Sequence, residues 1–175
     1  MLHGADAAAD SSDESRGLRR RRIVIAAIAV SLYGLDRWTK YLALSRLNPA
    51  NPPSYLGGLV KFRLITNAGA AFSLGSSATV AISVLAIVAF LAVLFLVVPR
   101  VRTWLAAVAT GLALAGIAGN LTDRLIRPPG VLRGQVVDFI ALPHFAIFNV
   151  ADMCITFTAA LLILASLRRP GPVAS

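Results

Sequence analysis

Beyond its first twenty residues the chain carries only four acids, Asp36, Asp123, Asp138 and Asp152, each in or beside an apolar run. A carboxylate inside a membrane helix is expensive, so its default reading is a functional site with a partner. The run Phe148-Asn149-Val150-Ala151-Asp152 puts an amide and a carboxylate into an apolar segment, and no charge follows from Met153 to Ser166. Asn120 and Asp123 are three residues apart, as are Asn149 and Asp152, so on helices each pair projects from one face. Asp36 and Lys40 stand four apart with the acid first, the favourable order. Two aspartates sharing one proton can activate water and protonate a leaving amine, because neighbouring like charges cannot both ionise readily. A partly desolvated membrane rim raises the upper value further, and asparagines can hydrogen-bond a substrate backbone or a developing oxyanion. The inventory suits an aspartyl peptidase at the outer membrane surface. It would also suit the proton relay of a small carrier, although carriers tend to show internal repeats and midplane sites with broken helices, and neither is visible. A third reading is a structural membrane subunit whose polar pairs only hold helices together.

Other chemistries are poorly supplied. One cysteine, Cys154, excludes an internal disulfide and a cysteine-rich metal site, and suits a small buried residue of the last helix. The two histidines, His3 and His144, make no zinc cluster, so neither metal nor cofactor is expected. Ser73 lacks an evident base, and Lys40 is accounted for by Asp36.

The elements that must position these groups are long apolar segments. With 57% hydrophobic and 14% charged residues, the chain departs from a soluble domain, where about a quarter are charged. Four apolar stretches, roughly 23–44, 78–98, 103–122 and 146–167, are each near the ~20 residues that span a bilayer. The net charge of +9 invites a nucleic-acid partner, but its placement argues against one. Arg19 to Arg22 precede the first stretch, Arg100 and Arg102 separate the second and third, and Arg168 and Arg169 follow the fourth. That is the positive-inside pattern, with both termini and the loop near residue 100 cytoplasmic, and the arginine rim can hold anionic membrane lipid. At ~1.5 Å per residue, Asp36, Asp123 and Asp152 lie about 21, 31 and 24 Å from those arginines. Against a ~30 Å hydrocarbon core all three approach the outer face, where Asp138 can join them from its loop.

The expected fold is therefore an α-helical membrane protein with four transmembrane helices. Residues 1–18, poor in apolar side chains, form a disordered cytoplasmic tail. Residues 19–168 form the membrane domain, with an extracytoplasmic section at about 45–77 and an outer loop at about 127–145. Residues 169–175 form a cytoplasmic C-terminal tail. The start resembles a secretory signal peptide, but without a placed cleavage site an uncleaved first span is expected. Residues 59–66 alternate in part at the strand period, and Gly69 among alanines allows close backbone approach. The alanines and glycines of the third helix suit tight packing in lipid.

Asn67-Ala-Gly69-Ala-Ala-Phe72-Ser73, Gly119-Asn120-Leu-Thr-Asp123-Arg124, Val136-Val-Asp138-Phe139 and Phe148-Asn149-Val-Ala151-Asp152 resemble motifs of the lipoprotein signal peptidases (signal peptidase II). Asp36-Arg-Trp-Thr39-Lys40 looks like that family's first motif, and the set falls in family order over roughly residues 20–168. The resemblance implies a bacterial plasma-membrane aspartyl endopeptidase that cuts prolipoproteins just before a diacylglyceryl-modified cysteine. It implies Asp138 and Asp152 as the catalytic pair and Asn67, Asn120, Arg124 and Asn149 in the binding site. Asp36, Lys40, Gly69, Gly119, Asp123 and Ala151 would support them, under a small extracytoplasmic β-rich cradle. Spacing alone does not choose between Asp123 and Asp138 as partner of Asp152, though Arg124 beside Asp123 suits a structural role for that acid. Two departures stand out. Arg37 replaces the glutamine common after the first aspartate, expected to be harmless on an outward rim, and only thirteen residues separate Asp138 from Asp152.

Overall fold

The computed structural model of the chain describes residues 3–69 and 75–167, and within them the side chains of 14–69 and 78–167. Four long helices and one small sheet make up the fold. Helix α1 (His3–Arg46) stops where Asn48 and Pro49 interrupt helical hydrogen bonding. Strands β1 (Ser54–Tyr55) and β2 (Val60–Asn67) follow, then α2 (Gly75–Ala92), which runs through a π-helical turn at Val93–Val97 into Arg100. Helix α3 (Trp104–Ile126) is capped by Thr103, whose hydroxyl accepts from the Ala106 N–H at 3.1 Å. Strand β3 (Val136–Ala141) and helix α4 (Val150–Leu167) complete the chain.

Helix α3 is the centre of the bundle, packed against α1, α2 and α4. Its small residues make that possible. A Cβ at Gly111 would stand 2.9 Å from Ile28 of α1, and one at Gly116 would stand 2.7 Å from the Ala151 carbonyl of α4. Among the described residues, three segments are long and apolar enough to cross a membrane: Ala78–Arg100, Trp104–Ile126 and Val150–Leu167. The first helix is absent from that set because Asp36, Arg37 and Lys40 interrupt its apolar run, and all three are ion-paired inside the protein.

The three strands pair antiparallel in the order β1-β2-β3. Ile65 lies opposite Asp138 and Asn67 opposite Val136, with the register shifting between Phe62 and Ile65.

Three expectations change. Helix α1 reaches back to His3, through residues read from composition as disordered; Ala5 and Ala7 to Ala9 are strong helix formers that extend it. The outer loop at 127–145 contains β3, whose first four residues are all buried, so no polar–apolar alternation marks it. The last helix begins at Val150 rather than near 146, because Asn149 is its cap. The expected tail at 169–175, and the arginines Arg168 and Arg169, lie outside the described residues, as do Phe72 and Ser73.

Candidate active site

The site is assembled at the start of α4. The Asn149 side-chain oxygen accepts from the Asp152 N–H at 3.0 Å, and Asp152 Oδ2 accepts from the Asn149 N–H at 3.1 Å. This reciprocal pair is a capping box, which satisfies two of the donors a helix start leaves open. A third donor, the Ala151 N–H, is taken at 3.0 Å by Asp36 Oδ1 from α1. The spacing Asn149–x–x–Asp152 is therefore a helix-start signature as well as a face-sharing pair.

Asn149 joins the two acids. Its Nδ2 donates to Asp138 Oδ1 at 2.6 Å and to Asn120 Oδ1 at 3.1 Å. Asn120 Nδ2 donates in turn to Asp152 Oδ1 at 2.7 Å. On the strand side, Asn67 Nδ2 donates to Asp138 Oδ2 at 3.2 Å, while its oxygen holds the Gly69 N–H at 2.8 Å in a tight turn. Gly69 adopts φ +82°, a conformation that glycine takes without strain. Asp138 is 2% exposed and Asn149 is fully buried, whereas Asp152 is half-buried and Asn67 is exposed. Burial, then the nearby Asp152 charge, pushes the Asp138 carboxyl up to about 6, against the opposing pull of Asn67, Asn149 and Lys40.

Behind this pair lies an ion cluster built on the buried side chains of Asp36, Lys40 and Asp123. Lys40 Nζ is 2.9 Å from Asp36 Oδ2, 2.9 Å from Asp123 Oδ2 and 3.0 Å from Asn120 Oδ1. Asp123 Oδ1 also meets Arg37 Nη1 and Arg127 Nε, each at 2.6 Å. Its other oxygen accepts the Val137 N–H at 3.3 Å. The cations that pair Asp123 are thus Arg37, Lys40 and Arg127, not its neighbour Arg124. Successive residues on a helix diverge by about 100°, which turns Arg124 toward the other face. Arg124 Nη1 reaches the Asn120 carbonyl at 3.3 Å, its Nε is buried without a hydrogen-bond partner among the described residues, and its charge acts on Asp152, Asp138 and Asp123. Gly119 lets α1 and α4 close on this cluster, since a Cβ there would meet Asp36 Oδ2 at 2.6 Å and the Ala151 Cβ at 2.9 Å.

The structure therefore brings Asp36, Lys40, Asn67, Gly119, Asn120, Asp123, Arg124, Asp138, Asn149, Ala151 and Asp152 into one connected region. Arg37 and Arg127 belong to it and were not among the expected residues. The signal for Arg127 was its position four residues after Asp123 on a helix. Lone Cys154 is buried, and His144 sits exposed in a turn with φ +58°. Among the described residues no three His, Cys, Asp or Glu side chains converge as a metal site requires.

A bundle of apolar helices that gathers buried carboxylates and amides at one end, beside a small sheet, is the architecture of a membrane protein with a polar cluster at its core. Two solved bacterial membrane enzyme structures obtained by the in meso method share the fold. One superposes with a TM-score of 0.73 over 83% of this chain and 94% of its own, at 27% identity. The other gives 0.72 over 86% and 94%, at 26% identity. Residues 28–168 match the family model described as signal peptidase (SPase) II. A lipoprotein signal peptidase of Streptomyces coelicolor is 40% identical over 91% of this chain and 78% of its own length. That of Mycolicibacterium smegmatis is 38% identical over 95% and 74%. The chain belongs to the signal peptidase II family of membrane proteases.

Proposed function

We propose that this chain is an aspartyl endopeptidase that removes the signal peptide of prolipoproteins, cutting before the diacylglyceryl-modified cysteine. The observation that carries the reading is Asn149, whose side chain holds Asp138 while its backbone N–H holds Asp152. One residue thus couples a strand acid to a helix acid, the pairing in which a single proton is shared.

Asp138, with its raised carboxyl, holds that proton, and Asp152 is the base. Asp152 takes a proton from water as the water oxygen bonds to the scissile carbonyl carbon, and Asp138 protonates the carbonyl oxygen, giving a gem-diol. On collapse, Asp152 delivers its proton to the leaving nitrogen, a gem-diol hydroxyl returns its proton to Asp138, and the C–N bond breaks. The products are a carboxylic acid on the signal peptide and the free amine of the lipidated cysteine. Asn67 and Arg124 flank the pair on the substrate side; Arg124 supplies fixed positive charge for the developing oxyanion. Both termini are cytoplasmic, and the site lies near the outer face of the plasma membrane, where exported precursors present their cleavage segment.

The test is cleavage of a diacylglyceryl-modified precursor by purified protein in detergent. Asp138→Asn and Asp152→Asn are each expected to abolish turnover, by about 10³-fold or more, while the protein stays folded. Undiminished cleavage by both variants would remove the dyad.

A further inference from the structure

At the sequence level Arg37 reads as an inert rim residue. In three dimensions it reaches inward. Its guanidinium shares Asp123 Oδ1 with Arg127, both at 2.6 Å, while Arg37 itself remains 23% exposed and Asp123 is fully buried. Lys40 cannot fix Asp123 alone, because it is divided between Asp36, Asp123 and Asn120. Two planar guanidinium groups on one oxygen set the plane of the carboxylate and leave Oδ2 aimed at the Val137 N–H.

That contact matters for the neighbouring residue. Val137 and Asp138 are consecutive on β3, so their side chains point to opposite faces and a shift at one moves the other. On the edge away from β2, the strand is held by Asp123 at Val137, and by the Phe148 carbonyl at Phe139 (3.1 Å) and Ile140 (2.9 Å). Asp138 lies between these two fastenings. We propose that Arg37, together with Arg127 and acting through Asp123, is a positioning residue that sets where β3 presents Asp138. The inference rests on the reading of Asp138 as an acting acid.

The experiment compares Arg37→Leu with Arg37→Gln and Arg37→Lys, which keep an N–H donor. Arg37→Leu is expected to lower kcat about tenfold with KM little changed, since misplacing an acting group by about 1 Å can cost a hundredfold. Arg37→Gln and Arg37→Lys should recover most of the loss. Hydrogen exchange at the Val137 amide should accelerate in Arg37→Leu, while the Phe139 amide, held by Phe148, keeps its protection. Wild-type kcat with unchanged Val137 exchange in Arg37→Leu would overturn the proposal. So would equal kcat losses in the leucine, glutamine and lysine variants, which would mark a merely structural role. If Arg37→Leu does not fold, Arg37→Met, which keeps the stem but no donor, is read the same way: faster Val137 exchange than wild type supports the hold, and unchanged exchange overturns it. The exchange readout needs no activity, so the two failures are distinguishable: a wild-type protein unable to cleave the lipidated precursor sinks the peptidase reading, whereas unchanged Val137 exchange in Arg37→Leu sinks the hold on β3.

Discussion

Asp138 occupies a position where ionisation is costly, and the cost has a sign that can be measured. Its carboxyl is raised to about 6, chiefly by burial and then by Asp152, so the folded protein binds that proton more tightly than the unfolded chain does. The stabilisation this gives is complete below the ordinary carboxylate value and is lost as pH rises through about 6. The shift corresponds to on the order of 3 kcal/mol. Asp138→Asn removes the ionisation while forfeiting one of the two donors that meet the carboxylate. At pH 8 the inactive variant should therefore melt no lower than wild type; a marked drop in Tm would assign Asp138 a mainly structural role. The pH profile of kcat/KM should likewise decline above about 6, as the pair loses the shared proton in the free enzyme. A profile flat from pH 5 to 8 would contradict the assignment of Asp138 as the proton-holding acid. These acids stood out in the sequence because they are scarce in apolar surroundings. Arg37 and Arg127 did not, because arginines near helix ends read first as topology, and only packing shows which of them turn inward.

At the scale of elements, the site depends on how closely α1 and α4 approach α3, and glycine sets that approach. Gly119 lies against Asp36 and Ala151, so a methyl group there must push the α4 start away or displace the Asp36 carboxylate that caps it. Gly119→Ala should lower stability by about 1–3 kcal/mol through overpacking and reduce kcat by at least tenfold. Gly34, on the same level of α1 but with nothing within 4 Å of an added Cβ, is the control. Gly34→Ala should be neutral or gain about 0.5–1 kcal/mol, because alanine is the better helix former. Equal Tm and kcat for both variants would mean the helix spacing is not under strain at Gly119. The four long apolar runs and the partial alternation at 59–66 made the helices and β2 legible. Strand β3 was hidden because Val136 to Phe139 are buried on both faces, which erases the alternation that signals a strand. The start of α4 was hidden because its capping box sits inside an apolar run, where Asn149 and Asp152 read as guests of a helix already under way.

For the whole molecule the question is which side of the membrane holds the site, and a bare count of cations barely answers it. Of the 17 basic residues, nine (Arg16, Arg19 to Arg22, Arg100, Arg102, Arg168 and Arg169) lie on one side of the four apolar runs, and eight on the other. Three of those eight, Arg37, Lys40 and Arg127, are ion-paired on Asp123, so their charge is neutralised within the protein rather than free at the surface. The five arginines before the first run act on the span that usually dominates orientation. Both considerations support the proposed orientation, with the arginine-rich side in the cytoplasm and the sheet outside. Cysteine labelling in a Cys154→Ser background tests this, since the native thiol is buried and serine is close in size. Ser54→Cys on exposed β1 should react with a membrane-impermeant maleimide in intact spheroplasts. Glu14→Cys gives up only an exposed 3.4 Å pair with Arg102, worth little to stability, and should react only after lysis. The opposite pattern would put the carboxylates on the cytoplasmic side, out of reach of an exported precursor, and the proteolytic reading would lose its substrate.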